Sequence, residues 1–231
     1  MVTQHSIGQR KALWDAFCQR QQIIANTTPL FDVDNESMVR IKQVGKKATR
    51  RLLVRSESME SLVISQTNIL LDDIARESNQ FDGLIYMMFI RDHEDVIPLY
   101  IGKTESKGRI NAISANIKDV ERVKDKFARW GDNYKYHIGD LSACVLPGHD
   151  TKYVTQKYLH WAKNVFVDFP TEKPQLKQDI WFWCKAWNKN DIGVWPEFGA
   201  TRLNFLEYLL IGLASSLFPN TLLNREGHSR S

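Results

Sequence analysis

The sequence has few cysteines, no long apolar segment and no internal repeat. Its three cysteines, Cys18, Cys144 and Cys184, show no CxxC spacing, so neither a disulfide framework nor a zinc finger is expected. An odd, unpaired set of thiols is typical of a cytoplasmic protein with reduced cysteines, which is the location we expect. No apolar run reaches the about 18 residues that a membrane-spanning helix needs, and the polar N-terminus lacks the apolar core of a secretory signal. We therefore expect no membrane partner.

What the chain does have is the composition of a globular protein with a mild positive charge. Hydrophobic residues make up 43% and charged residues 25% of its 231 residues, which excludes a disordered chain, a collagen and a coiled coil. The length suits one large domain, or a core domain with an appendage. The net charge of +4 does not identify a nucleic-acid partner by itself, so the distribution of the charge matters more.

One segment concentrates positive charge. Between residues 42 and 55 the chain has no acidic residue and six cations: Lys42, Lys46, Lys47, Arg50, Arg51 and Arg55. The segment has two interpretations, a solvated face or a surface that contacts phosphates. It could form a helix with several cations on one face, or a hairpin whose turn lies at Gly45.

Apolar patterns divide the chain into helices and strands. Two apolar strands at 84–90 and 97–102, joined by six polar residues, predict a β-hairpin. The residues before it, 80–83, predict a turn, and a third strand is expected at 138–146. Two short strand candidates, at 39–44 and 52–54, flank the basic segment. Helices are predicted at 9–25, 61–75, 109–127, 153–167 and 203–217.

The longer hairpin and the segments that follow it carry polar residues that plain core packing does not require. The first strand includes Gly83-Leu84-Ile85-Tyr86, the second ends in Tyr100-Ile101-Gly102-Lys103, and Arg109 follows. Far downstream, Glu207 lies in an otherwise apolar helix, where a carboxylate is rarely buried without a partner, and Asn220 comes after that helix. In this order the residues resemble the motifs of the GIY-YIG nuclease superfamily. The second half of the motif is literal, whereas the first half has Leu84 inserted.

The resemblance implies a metal-assisted cleavage of a phosphodiester bond. It implies that Glu207 holds a single Mg²⁺, with Mn²⁺ as the alternative ion, and that the cation also binds waters and the scissile phosphate. It assigns the general base to a motif tyrosine. Tyr86 is the first candidate and Tyr100 the second, with the ammonium group of Lys103 favouring the phenolate. Arg109 would hold a phosphate oxygen or the leaving group.

Other positions follow the family pattern less closely. Asn220 would brace the site by hydrogen bonds, but Asn224 is a rival for that role because Asn220 lies one residue farther along than expected. Several relatives carry a His or Tyr four residues after the arginine, where this chain has Ile113. We interpret His137 and His149 as ordinary, hydrogen-bonded histidines.

The resemblance covers about residues 81–115 and 200–225. It implies an α+β fold with a small, mainly antiparallel, three-stranded sheet flanked by helices. We expect residues 1–80 to form an N-terminal extension and a candidate DNA-contacting region. Residues 81–231 would form the nuclease domain, with a long insertion at about 116–199. An insertion of this size is where substrate specificity would be built, and it is closer to the elaborated restriction-enzyme members than to minimal modules.

The function we expect is metal-dependent hydrolysis of double-stranded DNA by an endonuclease of restriction type. Two alternatives stay open: a nuclease for repair or recombination intermediates, and a nucleic-acid-binding protein that has the fold but does not cut. We also expect Lys46, Lys47, Arg50 and Arg51 to contact phosphates outside the catalytic pocket without reading bases. The oligomeric state stays open as well, a homodimer included.

Overall fold

The computed structural model describes residues 4–45, 50–108 and 112–225. Within them the chain forms five α-helices, six β-strands and three short 3₁₀ turns. The helices are α1 (Gln4–Arg20), α2 (Glu57–Ala75), α3 (His137–Val145), α4 (Gln156–Val165) and α5 (Leu203–Leu217). The strands are β1 (Thr28–Pro29), β2 (Ile41–Val44), β3 (Arg50–Leu53), β4 (Phe81–Asp92), β5 (Asp95–Glu105) and β6 (Trp181–Asn188). The 3₁₀ turns are Phe127–Arg129, Thr151–Tyr153 and Pro196–Phe198.

The main sheet is antiparallel and has four strands in the order β1-β6-β4-β5, while β2 and β3 form a separate hairpin. The α+β class and the mainly antiparallel sheet are therefore confirmed, and so is the predicted β4–β5 hairpin. Of the two forms left open for the basic segment, the structure has the paired strands. The sheet differs from the expected three strands because the short β1 pairs with β6 at one edge. Four of the predicted helices are also present, and α5 has the predicted bounds.

The third strand predicted at 138–146 is wrong, because these residues belong to helix α3. Every residue of α3 is buried, so the segment has no solvent-facing polar positions to reveal a helical period. A short apolar run of this kind has the same pattern as a buried strand. The strand that joins the hairpin in the sheet is instead β6, whose aromatic residues are typical of strands.

The turn predicted at 80–83 is also wrong, because β4 begins at Phe81. Gly83 lies inside this strand with φ of 155°. A Cβ atom at Gly83 would lie 2.1 Å from the carbonyl oxygen of Thr104, so the glycine permits close approach of β4 and β5 rather than a turn.

The helix predicted at 109–127 is wrong in its described part, because residues 112–126 form a series of turns. Asp119 has a left-handed backbone with φ of 57°, which interrupts a right-handed helix. Among the hydrophobic residues of this part, Ile117 and Val120 are buried, too few to form the apolar face of a long helix.

The sheet separates two hydrophobic cores. Along β4, Leu84, Tyr86 and Met88 face the core that contains residues of α2, α3 and α4. The intervening residues of β4 face the core formed with α1 and α5. Helix α1 packs on α5, and α2 packs on β6, so the first 80 residues contribute to both cores. No helix of the described ranges is long and apolar enough to cross a membrane.

The outer edge of β5 is covered by the segment that follows α5. The backbone N–H of Leu223 donates to the carbonyl oxygen of Leu99 at 2.7 Å. Asn224 then makes two hydrogen bonds to the backbone of Ile101: its Oδ1 accepts from the N–H at 3.0 Å, and its Nδ2 donates to the carbonyl at 2.8 Å. Asn224 therefore takes the place of a neighbouring strand at an edge that would otherwise be open.

We predict that Asn224→Ala lowers the free energy of unfolding by about 2 kcal/mol, because it leaves the buried N–H and C=O of Ile101 without partners. Urea denaturation measures this difference. The matched control is Asn220→Ala, since Asn220 is exposed in the turn after α5 and its loss should change stability by less than about 0.5 kcal/mol. Equal effects of the two variants would contradict the prediction.

Candidate active site

Two motif tyrosines lie together on one face of the sheet. Tyr86 of β4 and Tyr100 of β5 have ring centroids 6.4 Å apart. Tyr86 is directly opposite Gly102 in the strand register, and a Cβ atom at Gly102 would lie 2.6 Å from the Cε2 of Tyr86. The glycine of the motif therefore makes room for the Tyr86 ring to lie across β5. Tyr86 is buried, with 3% of its surface exposed, whereas Tyr100 is half-buried.

His137, at the start of α3, joins Tyr86 to a third tyrosine. Its Nε2 lies 3.5 Å from the Tyr86 hydroxyl, and its Nδ1 lies 2.8 Å from the hydroxyl of Tyr158. The imidazole also stacks on Trp161, with ring centroids 5.2 Å apart. Burial lowers the pKa of His137 well below its usual range, and the positive charge of Lys157 lowers it further. The imidazole is therefore neutral, with one nitrogen donating and the other accepting.

The surroundings of Tyr86 disfavour its phenolate. Burial raises the pKa of Tyr86 well above its usual value, and Tyr100 and Glu207 act in the same direction, while the charge of Arg129 opposes them. The ammonium of Lys103, which we expected to favour the phenolate, is bound 2.7 Å from the carboxylate of Glu105. The interpretation of Tyr86 as the first candidate for the base thus conflicts with its surroundings, because a phenol in an apolar site holds its proton strongly.

Glu207 of α5 is half-buried, and its charge reaches Tyr86. Helix α5 packs against the face of the sheet opposite to that of Tyr86, so the pairing of Glu207 with the tyrosines stays a prediction. The described ranges contain no group of three or more His, Cys, Asp or Glu side chains arranged to hold a metal ion. A single carboxylate still fits Mg²⁺, which commonly keeps several waters and binds one or two carboxylates together with substrate phosphates.

Three charged residues that the sequence analysis did not select lie near the tyrosines. Lys157 of α4 has its Nζ 5.2 Å from the ring centroid of Tyr100, and Arg129 immediately precedes the buried Trp130. Asp140 of α3 is buried, and burial raises its pKa to about 7, against the opposing charges of Lys157 and Arg129. All three belong to residues 116–199, which the family motifs do not cover, so no motif pointed to them.

The other motif residues either lie away from the two tyrosines or fall outside the described residues. Arg109 lies outside the described residues. Asn220 is exposed in the turn after α5, whereas its rival Asn224 is buried and holds the backbone of Ile101. Asn224 therefore braces the edge of β5, while a role of either asparagine at the tyrosines stays a prediction. The Nε2 of His149 donates to the carbonyl of Arg51 at 2.8 Å, and its Nδ1 accepts from the Tyr134 hydroxyl at 2.7 Å.

The described parts of the basic segment form the paired strands β2 and β3, and Arg50 and Arg51 do not share one face. Lys46 and Lys47 lie outside the described residues. In the strand register Arg50 is opposite Val44, and Arg51 is opposite Gln43, so the two arginines point to opposite faces. Arg50 lies 3.9 Å from the carboxylate of Asp132, and Arg51 forms an ion pair with Glu172. Part of the charge that the sequence concentrates here is therefore paired.

No protein-family model, curated protein or solved structure matches this chain. The resemblance to GIY-YIG nucleases thus rests on the motif residues of the sequence alone.

We predict that Gly102→Ala lowers the free energy of unfolding by about 1–3 kcal/mol, because the methyl group overlaps the Tyr86 ring and forces it to move. Chemical denaturation measures the change. The control is Gly212→Ala in α5, where a Cβ atom meets nothing within 4 Å and the better helix propensity should stabilise the protein by up to about 1 kcal/mol. An unchanged free energy of unfolding for Gly102→Ala would show that the position of the Tyr86 ring does not depend on this glycine.

Proposed function

We propose that the protein is a metal-dependent endonuclease that hydrolyses phosphodiester bonds in DNA. The observation that carries the proposal is the pairing of Tyr86 with Tyr100 on neighbouring strands, with ring centroids 6.4 Å apart and with Gly102 directly opposite Tyr86. Two tyrosines on neighbouring strands and a carboxylate on a separate helix supply the groups that this chemistry needs. Their order along the chain, which the resemblance assigns to nucleases, supports the same conclusion.

Glu207 is the residue proposed to hold Mg²⁺. When bound, Mg²⁺ supplies positive charge against the negative charge that develops on the phosphate in the transition state. Glu207 is the one acidic residue of α5, and its carboxylate is the ligand that α5 would supply to the ion. Arg109 keeps the role that the resemblance assigns to it, the contact with a phosphate oxygen or with the leaving group.

Tyr100 is better suited than Tyr86 to accept the proton of the attacking water. It is half-buried rather than buried, and the ammonium of Lys157 lies 5.2 Å from its ring centroid. A nearby cation favours the phenolate that a base must form. Tyr86 keeps its proton and can donate it in a hydrogen bond to the water or to the phosphate, while His137 holds the phenol in place.

The proposal includes a restriction-type role acting on double-stranded DNA. Residues 116–199 support an elaborated enzyme, because they contribute His137, Lys157 and strand β6 to the neighbourhood of the tyrosines. A nuclease for repair or recombination intermediates has the same chemistry, and branched and linear DNA substrates compared side by side separate the two. A non-cutting DNA-binding protein would bind duplex DNA and leave a supercoiled plasmid intact in Mg²⁺.

We predict that Glu207→Gln reduces plasmid cleavage in Mg²⁺ by about 100-fold or more, because the amide removes the charge that holds the cation. Duplex binding should stay within a few fold of the parent. The control is Glu197→Gln, since Glu197 lies in the exposed turn 196–198 and should leave cleavage unchanged. Cleavage by Glu207→Gln at the parent's rate would remove this residue from the metal site.

We also predict that Tyr100→Phe slows cleavage by about 10²–10⁴-fold, the range for loss of a general base, and slows it more than Tyr86→Phe does. Single-turnover cleavage rates, measured at saturating enzyme, separate the chemical step from binding. Both variants lose one hydroxyl and keep the ring, so each serves as the structural control of the other. A larger loss for Tyr86→Phe would return Tyr86 to the role of base.

A further inference from the structure

A left-handed turn of three residues lies beside the tyrosines. Phe127, Ala128 and Arg129 have φ values of 34°, 48° and 76°, although none of them is glycine. L-residues enter this region of backbone space at a cost, and rarely in succession. Strained backbone persists where the surrounding structure holds it, and it clusters at sites that bind or react with ligands.

Buried side chains hold this turn in place. The guanidinium of Arg55 is 1% exposed, donates to the carbonyl of Trp130 at 2.6 Å and lies 4.3 Å from the ring centroid of Phe127. Glu60 accepts from the same guanidinium at 2.9 Å. The hydroxyl of Thr104 donates to the carbonyl of Ala128 at 3.2 Å. The turn is thereby fixed to β5, the strand that carries Tyr100.

Tyr86, Tyr100 and Tyr158 surround His137 and are called the tyrosine cluster below. The turn places Arg129 at the surface near this cluster. Arg129 is exposed, and its guanidinium carbon lies 5.4 Å from the ring centroid of Tyr136. Its chain neighbour Trp130 packs on Tyr86 with ring centroids 5.7 Å apart. The position of the arginine relative to the candidate active site is therefore set by a rigid, buried neighbour.

A second cation lies near Tyr100 and Tyr158, on α4. The Nζ of Lys157 lies 5.2 Å from the ring centroid of Tyr100 and 5.3 Å from that of Tyr158. The charges of Lys157 and Arg129 both act on the carboxylate of Asp140. Burial nevertheless raises the pKa of this carboxylate to about 7. Near neutral pH this carboxylate is only partly ionised, so it offsets only part of the positive charge.

From this arrangement we propose that Arg129 and Lys157 bind the phosphodiester backbone of a nucleic acid strand that lies across Tyr100. The inference rests on the proposed function, since it names the residues that hold the substrate at that site. The guanidinium fork suits two oxygens of one phosphate, and the ammonium acts as a point charge on a phosphate. Such contacts position the strand and carry no information on base sequence.

The test measures binding of a ~20-base-pair DNA duplex by fluorescence anisotropy between about 50 and 200 mM salt, with Glu207→Gln in every chain so that cleavage does not interfere. Relative to that parent, Arg129→Gln with Lys157→Gln should weaken binding by about 10-fold and reduce the slope of log K against log salt by about two. The matched control is Arg122→Gln with Lys163→Gln, which removes the same charge at two exposed positions.

Loss of affinity and slope in the first pair, and not in the control pair, supports the inference. An equal effect of the two pairs overturns it, because general charge then explains the binding, and so does a parent that does not bind duplex DNA. Each single variant should reduce the slope by about one, which keeps the test valid if the double variant is unfolded in urea titration. A wild-type chain that binds through these residues but does not cut contradicts the proposed function and leaves this inference standing.

Discussion

The contact on which the candidate site depends is the Tyr86 ring lying across the backbone of Gly102. Because Gly102 has no side chain, the ring extends over β5 and meets residues from distant parts of the chain. Trp130, His137 and Phe182 all lie within 6.3 Å of it, centroid to centroid. These neighbours fix the direction of the hydroxyl, so little reorganisation is needed when a substrate arrives. The same burial raises the pKa of the Tyr86 hydroxyl, and for this reason Tyr100 is the tyrosine proposed as the base.

The parts of the fold that the sequence predicts well are those with local signals. The β4–β5 hairpin has two apolar strands around a polar turn, and α5 has a long apolar period that ends before Pro219. Both carry motif residues, so the approach of Tyr86 to Tyr100 follows from the hairpin alone. The placement of Glu207 depends on how α5 packs on the sheet, which the apolar pattern of α5 does not predict.

The rest of the site could not be predicted because it depends on contacts between segments far apart in the chain. His137 begins α3, and the complete burial of this helix removes the helical pattern from the sequence. Nothing in the sequence around Lys157 indicates that α4 packs beside Tyr100. The basic segment shows the same limit. Its hairpin was one of two predicted forms, but the ion pairs of Arg50 with Asp132 and of Arg51 with Glu172 depend on loops that follow much later.

The tyrosine cluster is also part of the larger of the two cores, since Tyr86, Trp130 and Trp161 pack with residues of α2, α3 and α4. The site is therefore not a separate unit that could unfold before the rest of this core. Regions that open locally tend to have few buried contacts, and this one has many. On heating, the packing around Tyr86 and the helices that surround it should be lost in a single cooperative transition, so that the aromatic signal of the site and the helical signal of the whole protein follow the same curve.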